Sequence, residues 1–224
     1  MNETELAKFR SELMKWWIIH KRKFPWRETE DPYRILVAEV LLHRTKAEQV
    51  IPVYSAFISE FPDVFSLAES SKDKVVRMVY PLGLRWRAEL LHEMAKEIVR
   101  RGGKIKPDKA WLCSLPGVSD YIASAVMSFA FNKPEPVLDT NTVRIIGRLT
   151  GTPVTDGSRR SRKFREIYLR FMNHNNPKVF NMAMIDLGAL VCRVRTPLCA
   201  ECPLRRWCTY HRKISLAKGG ENNA

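Results

Sequence analysis

The sequence predicts an all-α protein, and three observations predict it. Apolar residues recur at spacings of three and four along most of the chain, Gly and Pro punctuate that pattern at short intervals, and no stretch alternates apolar and polar residues long enough to require a sheet. At 224 residues, 45% of them hydrophobic, the chain can bury one good core or two smaller ones that share an interface.

Leu6, Phe9, Leu13 and Trp17 mark a first amphipathic helix that fades at the basic stretch His20 to Lys23. Pro32 suits the first turn of a second helix, because its missing N–H would be unpaired there anyway; Tyr33, Leu36, Val37, Val40 and Leu41 form its buried stripe. Further helices are expected at about 46–60, 72–79, 87–101, 107–113, 120–131, 141–150, 160–172 and 177–190 from the same periodicity. Pro62, Gly83, Gly102–Gly103, Pro116–Gly117, Pro134–Pro136 and Gly151 separate them. The last dozen residues, 213–224, read as a disordered tail, and there is no internal repeat.

The formal charge is +14, from 38 Lys and Arg against 24 Asp and Glu, with a pI of about 9.8. Such a surface favours a polyanion, since neutralising phosphates releases condensed counterions. No apolar run approaches the roughly 20 residues of a membrane span, and the acidic, polar N-terminus is unlike a secretion signal. A cytoplasmic, intracellular protein without a membrane partner is expected, nucleoid-associated if the source is a prokaryote.

Cys192, Cys199, Cys202 and Cys208 form a C-x6-C-x2-C-x5-C array beside Arg193, Arg195, Arg205 and Arg206. Four thiolates so close in sequence can reach one cofactor, and the uneven spacers suit a [4Fe–4S] cubane in a compact loop. Tetrahedral zinc is the rival, although zinc sites usually use two short C-x2–4-C pairs and this array has one; a disulfide framework would require an oxidising compartment. Cys113 is expected in a core.

Residues 112–131 place Leu112, Leu115, Gly117, Val118 and Ser119 around a Pro-Gly turn, with a second helix rich in Ala and Ser beginning at once. Gly117 permits a tight backbone, and the exposed amides of Gly117, Val118 and Ser119 at the new helix N-terminus can cradle a phosphate. Ala123, Ser124 and Ala125 allow close helix packing. The pattern fits a helix–hairpin–helix that reads a DNA backbone, or an ordinary αα-corner. Asp139, 18 residues after Tyr121, stands at the N-cap of the next helix. It is either a plain cap or a carboxylate held beside bound DNA.

LPGVSDY, then VLDTNTVRIIGR, then the cysteine array resemble, in order, the helix–hairpin–helix base-excision DNA glycosylases of the endonuclease III and MutY superfamily. FPWRETEDPYRILVAEVLLHRTKAEQVIPVY resembles the start of their six-helix domain and PLGLRWRAELL their Gly-Leu loop. The resemblance implies a two-lobed all-α glycosylase fold. Residues 1–27 would be an N-terminal helix packed on the cluster domain, 28–134 the six-helix domain with its hairpin at 107–131, 135–212 the [4Fe–4S] cluster domain, and 213–224 the tail. It also admits a monovalent cation at the hairpin, double-stranded DNA with a mispaired base as partner, and a monomer.

Bifunctional members carry a Lys where this chain has Tyr121, and a phenol cannot form the Schiff base that leads to strand cleavage. Tyr at this place, with GVSDY, AEVLLHRT and Asp139-Thr140-Asn141, is similar to the Mig-type thymine glycosylases acting on G·T mismatches. The chain ends 16 residues past Cys208, without the further domain usual in MutY-type adenine glycosylases. A MutY-like adenine glycosylase and a noncatalytic iron–sulfur DNA-binding module are the alternatives. By the resemblance, Asp139 stabilises the oxocarbenium-like sugar and orients or deprotonates the attacking water, while Glu39 and Tyr121 meet the extruded base. Arg44 enters the stack beside the orphan guanine, Leu84 wedges the opposite strand, and Asn141, Arg193 and Arg195 contact DNA. Two departures stand out. Ser119 replaces the hairpin's second glycine, which restricts the backbone, and Asp120 would repel a nearby phosphate unless it points away.

Overall fold

The computed structural model describes residues 1–83 and 85–220. Leu84, expected as a wedge, and residues 221–224 lie outside the described residues. Among the described residues the secondary structure is helical, with no strand, and no helix is long and apolar enough to cross a membrane. The chain divides into two compact units, Lys23–Lys133 and a second made of Met1–Arg22 with Pro134–Ala224.

The discontinuous unit begins with α1 (Glu3–His20), whose N-terminus is closed by a capping box between Asn2 and Glu5. Leu6, Phe9, Leu13 and Trp16 are its buried face. They pack into one core with residues of α9 (Thr140–Thr150), α10 (Arg162–Phe171) and α11 (Pro177–Leu190), among them Ile146, Tyr168, Phe180 and Leu187. Phe9, fully buried, meets Phe171 with ring centroids 5.0 Å apart; burial of such a ring stabilises by about 2–3 kcal/mol. Trp17, expected on the core face, is only partly buried and donates its indole N–H to Asp186 Oδ2 at 3.0 Å. The reason is a polar anchor: the fully buried Asp186 carboxylate also accepts Arg22 Nε at 2.6 Å, which fastens the basic end of α1.

Residues 213–220, expected as tail, belong instead to α12 (Thr209–Gly220). Thr209 Oγ1 donates to Leu149 O at 2.8 Å and Tyr210 lies 4.9 Å from the Arg148 guanidinium, so the first turn is docked on α9 and the helix runs on from it.

The continuous unit holds α2 (Pro32–Leu42), α3 (Ala47–Glu60), α4 (Val64–Glu69), α5 (Lys72–Val79), α6 (Trp86–Arg100), α7 (Lys109–Cys113) and α8 (Asp120–Phe129). Pro32 opens α2 with Asp31 as its cap, and the five expected apolar positions are buried together with Ile35, Ala38 and Glu39. Helix α4 escapes periodicity because six residues make fewer than two turns; its capping box, Asp63 with Ser66, and the burial of Val64 and Leu67 against α6 hold it. Cys113 is exposed rather than in a core, because the five-residue α7 buries only Leu112.

Candidate active site and cysteine pocket

In the continuous unit, α7 ends at Ser114, and Leu115 N and Val118 N bond to Leu112 O and Leu115 O at 3.1 and 3.2 Å, coiling the turn tightly. Gly117 sits at φ +73°, and a Cβ there would lie 2.7 Å from Leu90 Cδ1, so both backbone and packing demand glycine. Ser119 has φ −76° and ψ 165°, an extended conformation open to any residue, so its departure from glycine restricts nothing. Its Oγ accepts from Ile122 N at 3.3 Å as the N-cap of α8. Asp120 bonds Lys109 Nζ at 2.7 Å, a partner already in place for its charge. Arg101, not singled out from sequence, clamps the hairpin by donating to Ser114 Oγ at 2.7 Å and stacking its guanidinium 5.7 Å from Trp111. First-turn amides of a helix have no intrahelical acceptors, which leaves the start of α8 suited to an anion.

Tyr121 is half-buried in that first turn. Glu39 lies on α2, which packs on α8, and is only 6% exposed, an uncommon place for a carboxylate. Arg44 is exposed just beyond the α2 C-terminus at φ +62°. A non-glycine residue there stores of order 1–3 kcal/mol, the kind of strain that collects at binding loops.

In the discontinuous unit, Asp139 caps α9. Its Oδ1 accepts Thr142 N at 2.7 Å, its Oδ2 accepts Asn141 Nδ2 at 2.9 Å, and its own N–H bonds Thr142 Oγ1 at 2.9 Å. The segment leading into it is pinned by the buried Asn181, which accepts Val137 N at 3.1 Å and donates to Glu135 O at 2.9 Å. Tyr168 donates to the same Asn181 oxygen at 2.8 Å, and burial, then the charge of Asp139, push its phenol well above its ordinary range. Asp139 is thus a rigid carboxylate, fixed in rotamer by its own helix. Asn141, expected to touch DNA, is committed on both ends of its amide: its Oδ1 accepts Arg144 Nη2 at 2.8 Å.

Arg144 also donates to Cys192 O and Gly188 O, both at 2.8 Å. One turn on, Arg148 donates to Arg193 O at 2.6 Å, Val194 O at 2.7 Å and Cys192 Sγ at 3.3 Å. These two arginines fasten the cysteine loop to the helix that Asp139 starts. Sequence reasoning missed them, although both lie within the VLDTNTVRIIGR motif. Arg195 is exposed on the loop, and Arg193, also exposed, folds back so that its Nε donates to Leu190 O at 3.0 Å.

Cys192, Cys199, Cys202 and Cys208 line one pocket, with Leu198, Arg205 and Tyr210 among its walls. Among the described residues no group of three or more His, Cys, Asp or Glu is already drawn together around a single metal position. Burial is the main force that pushes the Cys202 thiol up to about 12, with Cys192, Cys208 and Cys199 adding to it. Burial likewise raises Cys208. Four thiolates in this pocket would repel one another in a poorly solvated space, so charging them requires a cationic centre among them. The donor set, four cysteines lining one pocket, fits such a centre in its chemistry.

A family model described as HhH-GPD superfamily base excision DNA repair protein matches residues 37–170. A thymine-DNA glycosylase of Aeropyrum pernix is 40% identical over 94% of this chain and 97% of its own. A thymine/uracil-DNA glycosylase of Pyrobaculum aerophilum is 37% identical over 93% and 94%. Among solved structures, a thermostable thymine-DNA glycosylase superposes with a TM-score of 0.86 at 31% identity, covering 94% of this chain and 98% of that one. Endonuclease III trapped on DNA shares the fold, with a TM-score of 0.80 at 21% identity over 96% and 99%. With the hairpin, the capped Asp139 and these likenesses together, the chain belongs to the HhH-GPD superfamily of base excision DNA repair proteins.

Proposed function

We propose that the protein is a monofunctional DNA glycosylase that acts as a monomer on double-stranded DNA and removes thymine and uracil mispaired with guanine. Two relatives matched over nearly their whole length support the substrate: one is named for thymine, the other for thymine and uracil. The observation that carries the monofunctional reading is Tyr121, in the first turn of α8: a phenol there offers no amine to C1′.

Breaking an N-glycosidic bond builds positive charge on the deoxyribose. Asp139, locked by Thr142 and Asn141, supplies a carboxylate that needs no reorganisation to meet that charge. It also orients or deprotonates the attacking water. Glu39 and Tyr121 contact the extruded base, whose flipping costs least at a mispair. Thymine has no purine N7 to protonate, so Glu39 accepts the N3 hydrogen or holds a water. Arg44 fills the space beside the orphan guanine, and the hairpin amides of Gly117 and Ser119 grip the backbone, whereas the Val118 N–H is held by Leu115 O; Arg193 and Arg195 add phosphate contacts.

Cys192, Cys199, Cys202 and Cys208 would hold a [4Fe–4S] cluster, which when bound supplies the positive core that offsets thiolate repulsion and cross-links the loop. Arg144 and Arg148 keep that loop in place from α9.

The test is base release from a panel of mismatched duplexes, with and without hot alkali. Thymine and uracil released opposite guanine, with strands broken only by alkali, is the expected result. Adenine released from G·A alone would favour the MutY-like alternative, and no release from any duplex a noncatalytic binder.

A further inference from the structure

Arg87 is the largest of the fully buried side chains, with no exposure at all. It lies in the first turn of α6, and its Nη1 donates to Leu41 O, at the C-terminal end of α2, at 2.8 Å. Nε and Nη2 are also buried and have no hydrogen-bond partner among the described residues. Burial, then the like charge of Arg44, pull its pKa down, and among the described residues no carboxylate acts against them. A buried cation whose hydrogen bonding among the described residues is limited to one neutral carbonyl, with two donors left over, weakens the unbound protein.

What it lies under is the turn that follows α2. His43 N bonds Val40 O at 3.3 Å and Thr45 N bonds Leu42 O at 3.1 Å, which leaves Arg44 exposed at φ +62°. Trp86, next to Arg87 and 5.9 Å from its guanidinium, packs edge-on against His43 with centroids 5.5 Å apart. Arg87 and Trp86 therefore brace the turn from beneath while Arg87 presents to Arg44 a charge of the same sign. A lysine would keep the charge and could donate to the same carbonyl, but it lacks the planar guanidinium that lies beside the Trp86 ring.

We propose that Arg87 is a positioning residue for DNA binding by the turn 42–46: its Nη1 bond to Leu41 O fixes the end of α2, its charge turns Arg44 outward, and the field of the DNA backbone, felt across the turn, supplies the countercharge that the unbound protein lacks. This rests on the reading of Arg44 as the side chain that enters the duplex. It predicts an unusual pairing of effects, because removing an uncompensated buried charge relieves the fold while spoiling recognition.

The test uses the full chain and fluorescence anisotropy with two duplexes, one carrying an abasic-site analogue opposite guanine and one fully paired, alongside thermal melting. Arg87→Met should lose about tenfold in preference for the abasic duplex, with its melting temperature held or raised. Arg44→Ala should lose as much, and the double variant no more than either. Arg87→Lys, which keeps the charge, should recover part of the preference. A fall in melting temperature with proportionate weakening on both duplexes would make Arg87 a packing residue. Additive losses in the double variant, or an unchanged preference in Arg87→Met, would equally overturn the proposal. Both readouts are binding and melting, so a wild-type protein that releases no base would sink the glycosylase reading without obscuring this one.

Discussion

Asp139→Asn separates the carboxylate's charge from its role as a cap. Asn caps a helix about as well as Asp, so the bond from Thr142 N survives. The other oxygen does not have a neutral substitute. Asn141 Nδ2 donates to it at 2.9 Å, and Asn141 cannot turn its amide over because Arg144 Nη2 holds its Oδ1 at 2.8 Å. The new amide therefore faces donor with donor, at a cost of about 1–2 kcal/mol. Loss of a negative charge at a helix N-terminus adds about 0.3–1 kcal/mol. A chain of this size should then melt roughly 3–10 °C lower while remaining folded at 25 °C. The chemical step should suffer far more. Removing a single preorganised neutral donor typically costs about 10²–10³ in rate, and a full charge facing an oxocarbenium-like centre is worth at least that. Single-turnover thymine release from a G·T duplex, anisotropy with the same duplex and thermal melting measure the three effects. Release within tenfold of wild type would refute the assignment. So would a rate loss matched by an equal loss of binding, since charge stabilisation of the transition state leaves ground-state affinity nearly intact.

Three further outcomes are expected. Tyr121→Lys should gain strand cleavage and become trappable on DNA by borohydride, whereas strong trapping of the unmutated protein would show that another lysine attacks C1′. Aerobically purified protein should be yellow-brown with about four irons per chain; Cys202→Ser, in the pocket, should lose the colour, while Cys113→Ser, exposed on α7, should keep it. Gly117→Ala should lower stability by about 1–3 kcal/mol, from overpacking against Leu90 and the positive φ, and weaken binding to any duplex; an unchanged melting temperature would contradict the geometry.

Much of the site was legible because its parts are local. Asp139 as an N-cap, the Pro-Gly turn before α8 and the four cysteines are each written in a few consecutive residues, where turn chemistry and spacing speak directly. The same holds for Lys72–Val79 and Pro177–Leu190, where periodicity alone predicts the observed bounds. Helix α4 was invisible because its stability comes from the cap at Asp63 and from α6, not from its own short repeat. Trp16 and Trp17 are adjacent bulky rings, and nothing in the repeat says that the buried Asp186, far along the chain, will draw Trp17 aside.

Sequence by itself determined which residues want to be helical, which positions need glycine or a cap, and which chemistry the chain holds: a carboxylate, a phenol where relatives have an amine, four thiols and a large positive charge. Tertiary structure decided what each of these touches. The Ser119 backbone proved extended, Asp120 found Lys109, and Cys113 stayed outside. Arg144 and Arg148 reached Cys192, and Arg87 reached Leu41, across 44–48 residues of chain. Periodicity encodes which face of a helix is buried but carries no address for the partner that covers it. A buried arginine, whose long stem can lie either in the core or along the surface, is therefore decided only when the helices have packed.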